Sequence, residues 1–294
     1  MVRSPNQNRS GRLRMKEFLS VFLYRKVTLL ATLFIALIMF FGVFAPIISP
    51  YDPFEMRSSD RLQSVSSRHI LGTDNFGRDI FSRIIFGART SLASSFGVVL
   101  FSLSIGILVG LLSGYYKKLE TVLMRVIDVM MAFPPLLVAL VLMSIFGRSL
   151  INVILAVGIS YLTRTTRIVY GLTLKIKEET FIEAFRSCGA GNLRLIFVHI
   201  LPNIISPVIV QGTFTFAFSL LDMAALDFLG VGLPPEIPSW GNMLSEGSIY
   251  LVRAPWLLVF PGLFIVSTVL SFNLMGDTLR DQMDPRFRHD IQGI

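Results

Sequence analysis

Long apolar runs separated by short polar segments dominate this sequence. The runs Val27–Ser49 and Ala254–Gly276 contain no Asp, Glu, Lys or Arg, and each exceeds the roughly 20 apolar residues that a membrane-spanning helix needs. Weaker apolar runs between them follow the same pattern, so we predict an all-α integral membrane protein with six transmembrane helices. The predicted spans cover residues 27–48, 90–114, 122–146, 149–170, 204–229 and 255–277.

Two of these spans carry polar interruptions. The third has Asp128 about one turn inside its start, and Pro134-Pro135 is expected to bend it. The fourth has only a short uncharged core, and it can span if Arg164 and Arg167 extend their side chains towards the cytoplasmic interface.

The predicted outer segments contain helical and interfacial patterns. In segment 49–89, apolar residues recur at helical spacing after a possible Thr73-Asp74 cap, which predicts a helix on the outer membrane surface before the second span. Its apolar face consists of Phe76, Ile80, Phe81, Ile84 and Ile85. Loop 230–254 is rich in Pro and Gly, and we expect Trp240 and Trp256 at interfacial depth.

Residues 171–203 form a polar segment between two apolar runs, and this segment contains two further helical patterns. The first ends at the glycines Gly189 and Gly191, and the second begins at Asn192 and ends before Pro202. Two short amphipathic helices between membrane spans are typical of a docking element for another protein. The two apolar stripes are Phe181, Ile182, Phe185 and Cys188, and then Leu193, Ile196, Phe197, Ile200 and Leu201.

Charge sets the orientation of the predicted spans. Hydrophobic residues make up 53% of the chain and charged residues 16%, which excludes an ordinary soluble domain. With both termini in the cytoplasm, 19 of the 27 Lys and Arg residues fall in cytoplasmic segments, as the positive-inside rule requires. The net charge of +8 is therefore a topology bias, and we do not expect nucleic-acid binding. The predicted organisation is a cytoplasmic leader (1–26), a permease domain (27–278) with the cytoplasmic loop 171–203, and a cytoplasmic tail (279–294).

Sites for catalysis, metals and nucleotides are not recognisable in the sequence. A single cysteine and three scattered histidines exclude a disulfide framework and a Cys- or His-rich metal site. No Gly-x4-Gly-Lys-Ser/Thr phosphate-binding loop is present. We therefore predict no cofactor in this chain and no ATP hydrolysis by it.

Several motifs carry a resemblance to a known family. Glu183-Ala184, Gly189 and Leu201-Pro202 have the spacing of the coupling-loop signature of bacterial ABC-importer permeases, although Phe185 replaces an Ala and His199 an Ile. Together with the segments below, the chain resembles the second permease of dipeptide, oligopeptide and nickel transporters. Those segments are Leu71–Asp79, Phe228–Gly232, Ser239–Leu244, Ala254–Trp256 and Phe272–Asp277.

The resemblance implies partners and a mechanism. It implies a heterodimer with a homologous permease, two ATP-binding subunits that hold ATP and Mg, an extracytoplasmic substrate-binding protein, and a place in the bacterial inner membrane. The loop would insert into the ATPase and transmit its closure to the spans. The residues expected to couple to the ATPase are Phe181, Glu183, Ala184, Phe185, Gly189, Leu201 and Pro202.

Other charged residues are candidates for further roles. Asp128 and Asp222 lie within apolar spans, where a carboxylate faces a cavity or a partner. We weigh a place on the translocation pathway against a structural hydrogen bond to another helix. Asp74, Arg78 and Asp79 belong to the outer signature and either contact a partner protein or anchor the chain at the interface.

Three functions remain open on the sequence. The first is import of di- or oligopeptides, with nickel or another small solute as its alternative. The second is an ion-coupled secondary transporter, which would use intramembrane carboxylates beside Pro-interrupted helices. The third is an assembly subunit with no pathway of its own.

Overall fold

The computed structural model describes residues 26–283, so residues 1–25 of the predicted leader 1–26 and most of the predicted tail 279–294 lie outside it. Regular structure in this part of the chain is helical, apart from one isolated β-bridge between Thr73 and Asp79. The helices are α1 Lys26–Val43, α2 Ala45–Ile48, α3 Ile80–Tyr115, α4 Lys117–Met131, α5 Pro135–Phe146, α6 Leu150–Lys177, α7 Thr180–Ser187, α8 Asn192–Phe228, α9 Trp240–Ser248 and α10 Trp256–Met283, with a 3₁₀ turn at Ser58–Asp60.

Each predicted span coincides with a helix. Within residues 26–283, α1, α3, α8 and α10 are long and apolar enough to cross a membrane. The pair α4–α5 makes a fifth crossing if it counts as one span, and it is bent by 94° at the predicted Pro134-Pro135 break. Helix α6 covers the fourth predicted span without an apolar stretch of that length.

A seam of small residues joins α3 to α6 at the centre of the bundle. Gly106, Gly110 and Gly114 lie four residues apart on α3 and face residues of α6. A Cβ atom on Gly110 would lie 2.6 Å from Val169 Cβ, and one on Gly114 would lie 2.6 Å from Thr173 Cβ. Small residues at this spacing let two membrane helices approach closely and pack in van der Waals contact.

The outer end of the bundle has its own core around Trp240. The indole is fully buried, and its Nε1 donates to the Ile84 carbonyl at 3.1 Å. Trp256 ties the start of α10 to the outer segment by donating to the Thr73 carbonyl at 3.2 Å. Helices α3, α9 and α10 enclose the Trp240 ring, and the interfacial depth expected for Trp240 and Trp256 stays a prediction.

The separate outer-surface helix predicted before the second span is wrong. Residues from Ile80 onwards belong to α3, which runs unbroken to Tyr115, and Phe76 precedes it. The N-cap is Asp79, whose carboxylate accepts from the Ser82 N–H at 2.8 Å, and not Thr73-Asp74. The outer segment covers the polar side of this helix, so burial extends around it and no amphipathic surface remains.

The end of the bundle that is predicted to be cytoplasmic has a second core, here called the cytoplasmic core, which gathers three chain segments. Leu111 of α3, Val169 of α6 and Ile182 of α7 pack with the start of α8. Tyr115 donates to the Asn192 side chain at 2.7 Å, and the Lys177 ammonium donates to the Tyr115 carbonyl at 2.8 Å. These contacts fix α7 beneath the bundle.

The second short helix predicted for this loop does not end before Pro202. It is the first part of α8, which continues to Phe228 through a π-wound segment at Leu195–Ile200. The Leu201 N–H reaches back five residues to the Ile196 carbonyl. Pro202 lacks an N–H in any case, so it is tolerated where the winding changes.

Candidate functional site

Helix α7 presents a small exposed surface and is held by one buried side chain. Ile182 is fully buried in the cytoplasmic core, whereas Glu183 and Ala184 are exposed. Phe185 is 41% exposed, which is high for an aromatic ring. The predicted Phe181/Phe185 face is divided, because Phe181 is partly buried against the chain's own bundle. Of the residues on α7 that were predicted to couple to the ATPase, the exposed ones are therefore Glu183, Ala184 and Phe185.

The end of α7 depends on a left-handed residue. Gly189 has φ +85°, and an added Cβ would meet nothing within 4 Å. The Ala190 N–H donates to the Phe185 carbonyl at 3.0 Å across this turn. Glycine is favoured here for its backbone conformation, and space does not limit the side chain.

Leu201 and Pro202 stand where the π-wound segment passes into the long part of α8. Leu201 packs partly buried against the cytoplasmic core, and Pro202 is exposed. The Asn203 side-chain amide donates to the His199 carbonyl at 2.6 Å, which satisfies a carbonyl at the change of winding. The Phe185 ring stacks on His199, with centroids 3.9 Å apart, so the exposed surface of α7 contacts the base of α8 directly.

A cavity of about 310 Å³ opens at the elbow between α4 and α5. The break at Pro134-Pro135 turns the two helices apart and leaves this space against α6 and α8. Its wall is mostly apolar, with a polar strip from α6. The lining residues are Met130, Met131, Phe133, Pro135, Val138, Ser160, Tyr161, Thr163, Arg164 and Phe218.

The two predicted pathway carboxylates flank this cavity without lining it. The Tyr161 hydroxyl donates to Asp222 Oδ2 at 2.7 Å, so Asp222 lies behind a cavity residue. Asp128 forms an ion pair with Arg167, and both side chains are about half exposed. Each carboxylate thus has a partner on α6, which is the structural alternative considered from the sequence; the pathway role stays a prediction.

The outer signature residues form a buried charge cluster. Asp74 accepts from Arg78 Nε at 2.5 Å and from Arg83 Nη1 at 2.6 Å, and both arginines donate to Glu246 of α9. Asp79 caps α3 and has His69 Nδ1 at 2.9 Å from its Oδ1. Asp74, Arg78 and Asp79 are therefore engaged within the chain, and their predicted contact with a partner protein stays a prediction.

Sequence reasoning missed two structural residues of this outer end. Asp227 is buried and accepts from the Leu233 N–H at 2.7 Å and the Ser239 hydroxyl at 2.6 Å, which organises loop 229–239. Arg83, also buried, joins the charge cluster. The Asp227-Phe228-Leu229-Gly230 segment followed by Ser239 was a usable signal for the first. Nothing local to Arg83 points to Glu246, which lies 163 residues away.

Comparisons with known proteins bear on the whole chain. Residues 102–289 match the family model described as binding-protein-dependent transport system inner membrane component. Residues 14–64 match the N-terminal transmembrane domain of oligopeptide transport permease C. The chain belongs to the binding-protein-dependent ABC transport permease family. It is thus a membrane component of a bacterial inner-membrane transport system, and the predicted family is confirmed.

Relatives match nearly the full length. The di/tripeptide transport permease DppC of Pseudomonas aeruginosa is 42% identical over 282 residues, covering 94% of this chain and 93% of that protein. The glutathione transport permease GsiD of Pectobacterium atrosepticum is 41% identical over 284 residues, covering 96% and 94%. The MetNI methionine ABC transporter, in an inward-facing conformation, matches with a TM-score of 0.58 at 18% identity, covering 70% of this chain and 98% of that one. This match confirms the predicted type I permease fold.

Proposed function

We propose that this permease is the translocation subunit for short peptides in an ABC importer. The related permeases are named for di- and tripeptides and for glutathione, which is itself a tripeptide. The observation that carries the coupling role is the exposed surface of α7, anchored by Ile182 and stacked on the base of α8. A loop with these contacts transmits a movement of the bound ATPase subunit to α8, a membrane-crossing helix.

The proposed assembly contains a second permease, two ATP-binding subunits and an extracytoplasmic substrate-binding protein. ATP and Mg act in the ATP-binding subunits, and this chain contributes no catalytic group. Glu183, Ala184 and Phe185 enter a cleft of the ATPase, where burying one Phe stabilises the contact by about 1.5–3 kcal/mol. Phe181, Gly189, Leu201 and Pro202 support that surface from the side of the bundle.

The test is uptake by proteoliposomes that contain the complete complex, with a labelled dipeptide delivered by its binding protein. We expect uptake that requires ATP, and Glu183→Lys should reduce it more than tenfold while the chain still reaches the membrane. Glu178→Lys is the matched control, because it makes the same charge change on an exposed residue of the same loop outside α7. Absence of uptake by the unmodified complex would refute the peptide function, and normal uptake by the Glu183 variant would refute the coupling role.

A further inference from the structure

The elbow cavity between α4 and α5 contains an unusual cation. Arg164 lines it together with apolar residues such as Phe133 and Val138. Within residues 26–283, Arg164 makes no hydrogen bond or ion pair, whereas its neighbour Arg167, one turn further along α6, is paired with Asp128. Arg164 is exposed in the described chain, and an arginine within a membrane-spanning segment commonly faces water, an anion or a substrate path.

The surroundings of Arg164 determine which ligand fits. The hydroxyls of Ser160, Tyr161 and Thr163 on the same stretch of α6 already donate within the chain, to the Ala156 carbonyl, Asp222 and the Ser160 carbonyl respectively. They leave the Arg164 guanidinium as the donor for a ligand. Apolar walls come from Met130, Met131 and Phe218. The negative group nearby, Asp222, lies behind Tyr161 and is occupied by its hydroxyl. The accessible charge of the cavity is therefore positive, and a guanidinium pairs with a carboxylate through two parallel hydrogen bonds.

The size of the cavity fits one end of a peptide. A volume of about 310 Å³ corresponds to about ten water molecules, which is enough for one amino-acid residue with its carboxylate. An apolar wall with one oriented charge is the usual composition of a ligand site in proteins. We infer that the elbow cavity binds the C-terminal carboxylate of the translocated peptide through Arg164, with the last side chain of the peptide against Met130, Met131 and Phe218. This inference rests on the proposed peptide function.

The charged side chain that faces the cavity differs from the one expected from the sequence. From the sequence, Asp222 is a candidate for the translocation pathway, and Arg164 is expected only to extend its side chain towards the cytoplasmic interface. In the structure Asp222 holds Tyr161 in place from behind, which makes it a positioning residue, and Arg164 supplies the charge that a ligand meets.

The decisive experiment compares a free-acid dipeptide with its C-terminally amidated form in the reconstituted complex, for the unmodified chain and for Arg164→Gln. Because the binding protein is the same in both complexes, the ratio of variant to unmodified uptake reports the permease alone. We expect free-acid uptake to fall about tenfold, the loss of one charge-assisted contact, with amide uptake unchanged. Lys175→Gln, the same kind of charge removal at an exposed site on α6, should leave the free-acid to amide ratio unchanged.

If the binding protein delivers only free-acid peptides, a series of substitutions that varies the charge at Arg164 provides the test. Free-acid uptake should then decline in the order Arg164, Lys, Gln and Glu, with the complex still assembled. Equal losses for both peptides, or loss of assembly that parallels the loss of uptake, would show that Arg164 pairs with the second permease and would overturn the inference. Unchanged uptake in all variants would also overturn it. No uptake of either peptide by the unmodified complex would refute the proposed function itself.

Discussion

Single buried charges hold the outer segment to the bundle. Asp74 accepts from two arginine side chains and also from the Phe76 and Arg78 amides at 2.8 and 2.9 Å. Glu246 completes the cluster from α9. Removing one member of a buried ion cluster leaves the others uncompensated, which costs about 3–5 kcal/mol. Such a residue contributes to stability even though its partner lies far away in the sequence.

Asp74→Asn is therefore expected to destabilise the protein strongly. The amide keeps the shape but removes the charge that balances Arg78 and Arg83, so the thermal midpoint of the purified complex in detergent should fall by several degrees. Asp52→Asn is the control, because Asp52 is exposed and its carboxylate accepts from the Phe54 N–H within its own loop. Equal midpoints for the two variants would contradict the role assigned to the charge cluster.

Helices in this bundle meet through small residues where they cross closely. The Gly106, Gly110 and Gly114 spacing was present in the sequence and is a known signal for close helix contact, but only the structure identifies α6 as its partner. A methyl group on Gly110 would also lie 2.9 Å from the Thr166 carbonyl oxygen. Backbone atoms cannot move aside as a flexible side chain can, so the two helices would have to separate.

Gly110→Ala and Gly171→Ala should change stability in opposite directions. Alanine favours the helix over glycine by roughly 0.5–1 kcal/mol, and Gly171 on α6 has open space around it, so Gly171→Ala should raise the thermal midpoint. At Gly110 the clash with Val169 outweighs that gain, and the midpoint should fall. Thermal unfolding of the two purified complexes checks this pair, and a rise in both would show that the seam is not tightly packed.

The whole molecule has two distinct ends, each with its own core. The outer core centres on Trp240 and is closed by the charge cluster, whereas the cytoplasmic core joins α7 to α3, α6 and α8. The charge distribution along the chain assigns the second of these to the cytoplasm. The exposed surface of α7 then faces the side on which ATP is available.

Cys188 allows this orientation to be tested without any mutation. It is exposed beside α7, and it is the one cysteine of the chain. A membrane-impermeant maleimide should label it in inside-out vesicles and leave it unlabelled in right-side-out vesicles. Binding of the ATP-binding subunits should protect it. Val65→Cys in a Cys188→Ser background, exposed in the outer segment, should show the opposite pattern. Labelling of Cys188 from the outside would refute both the topology and the coupling role.

Much of the fold followed from local patterns, and the errors have a common origin. The spans, the break at Pro134-Pro135 and the end of α7 at Gly189 depend on a residue and its near neighbours, and the structure confirms them as helix, bend and left-handed turn. The predicted outer-surface helix and the second short loop helix were wrong because each is continuous with a span. Hydropathy identifies the segments that lie within the membrane. It does not give the ends of the helices, because a helix can continue beyond the membrane.

Amino-acid order alone specified the membrane location and the family, and it predicts the orientation and the docking loop, because hydropathy, charge bias and short motifs act along the chain. Three-dimensional packing specified which docking residues are accessible, as Ile182 buries one side of α7 and divides Phe181 from Phe185. It also placed Arg164 in a cavity and Asp222 behind Tyr161. The environment of a charged side chain in a bundle depends on helices distant in sequence, and no local pattern carries that information.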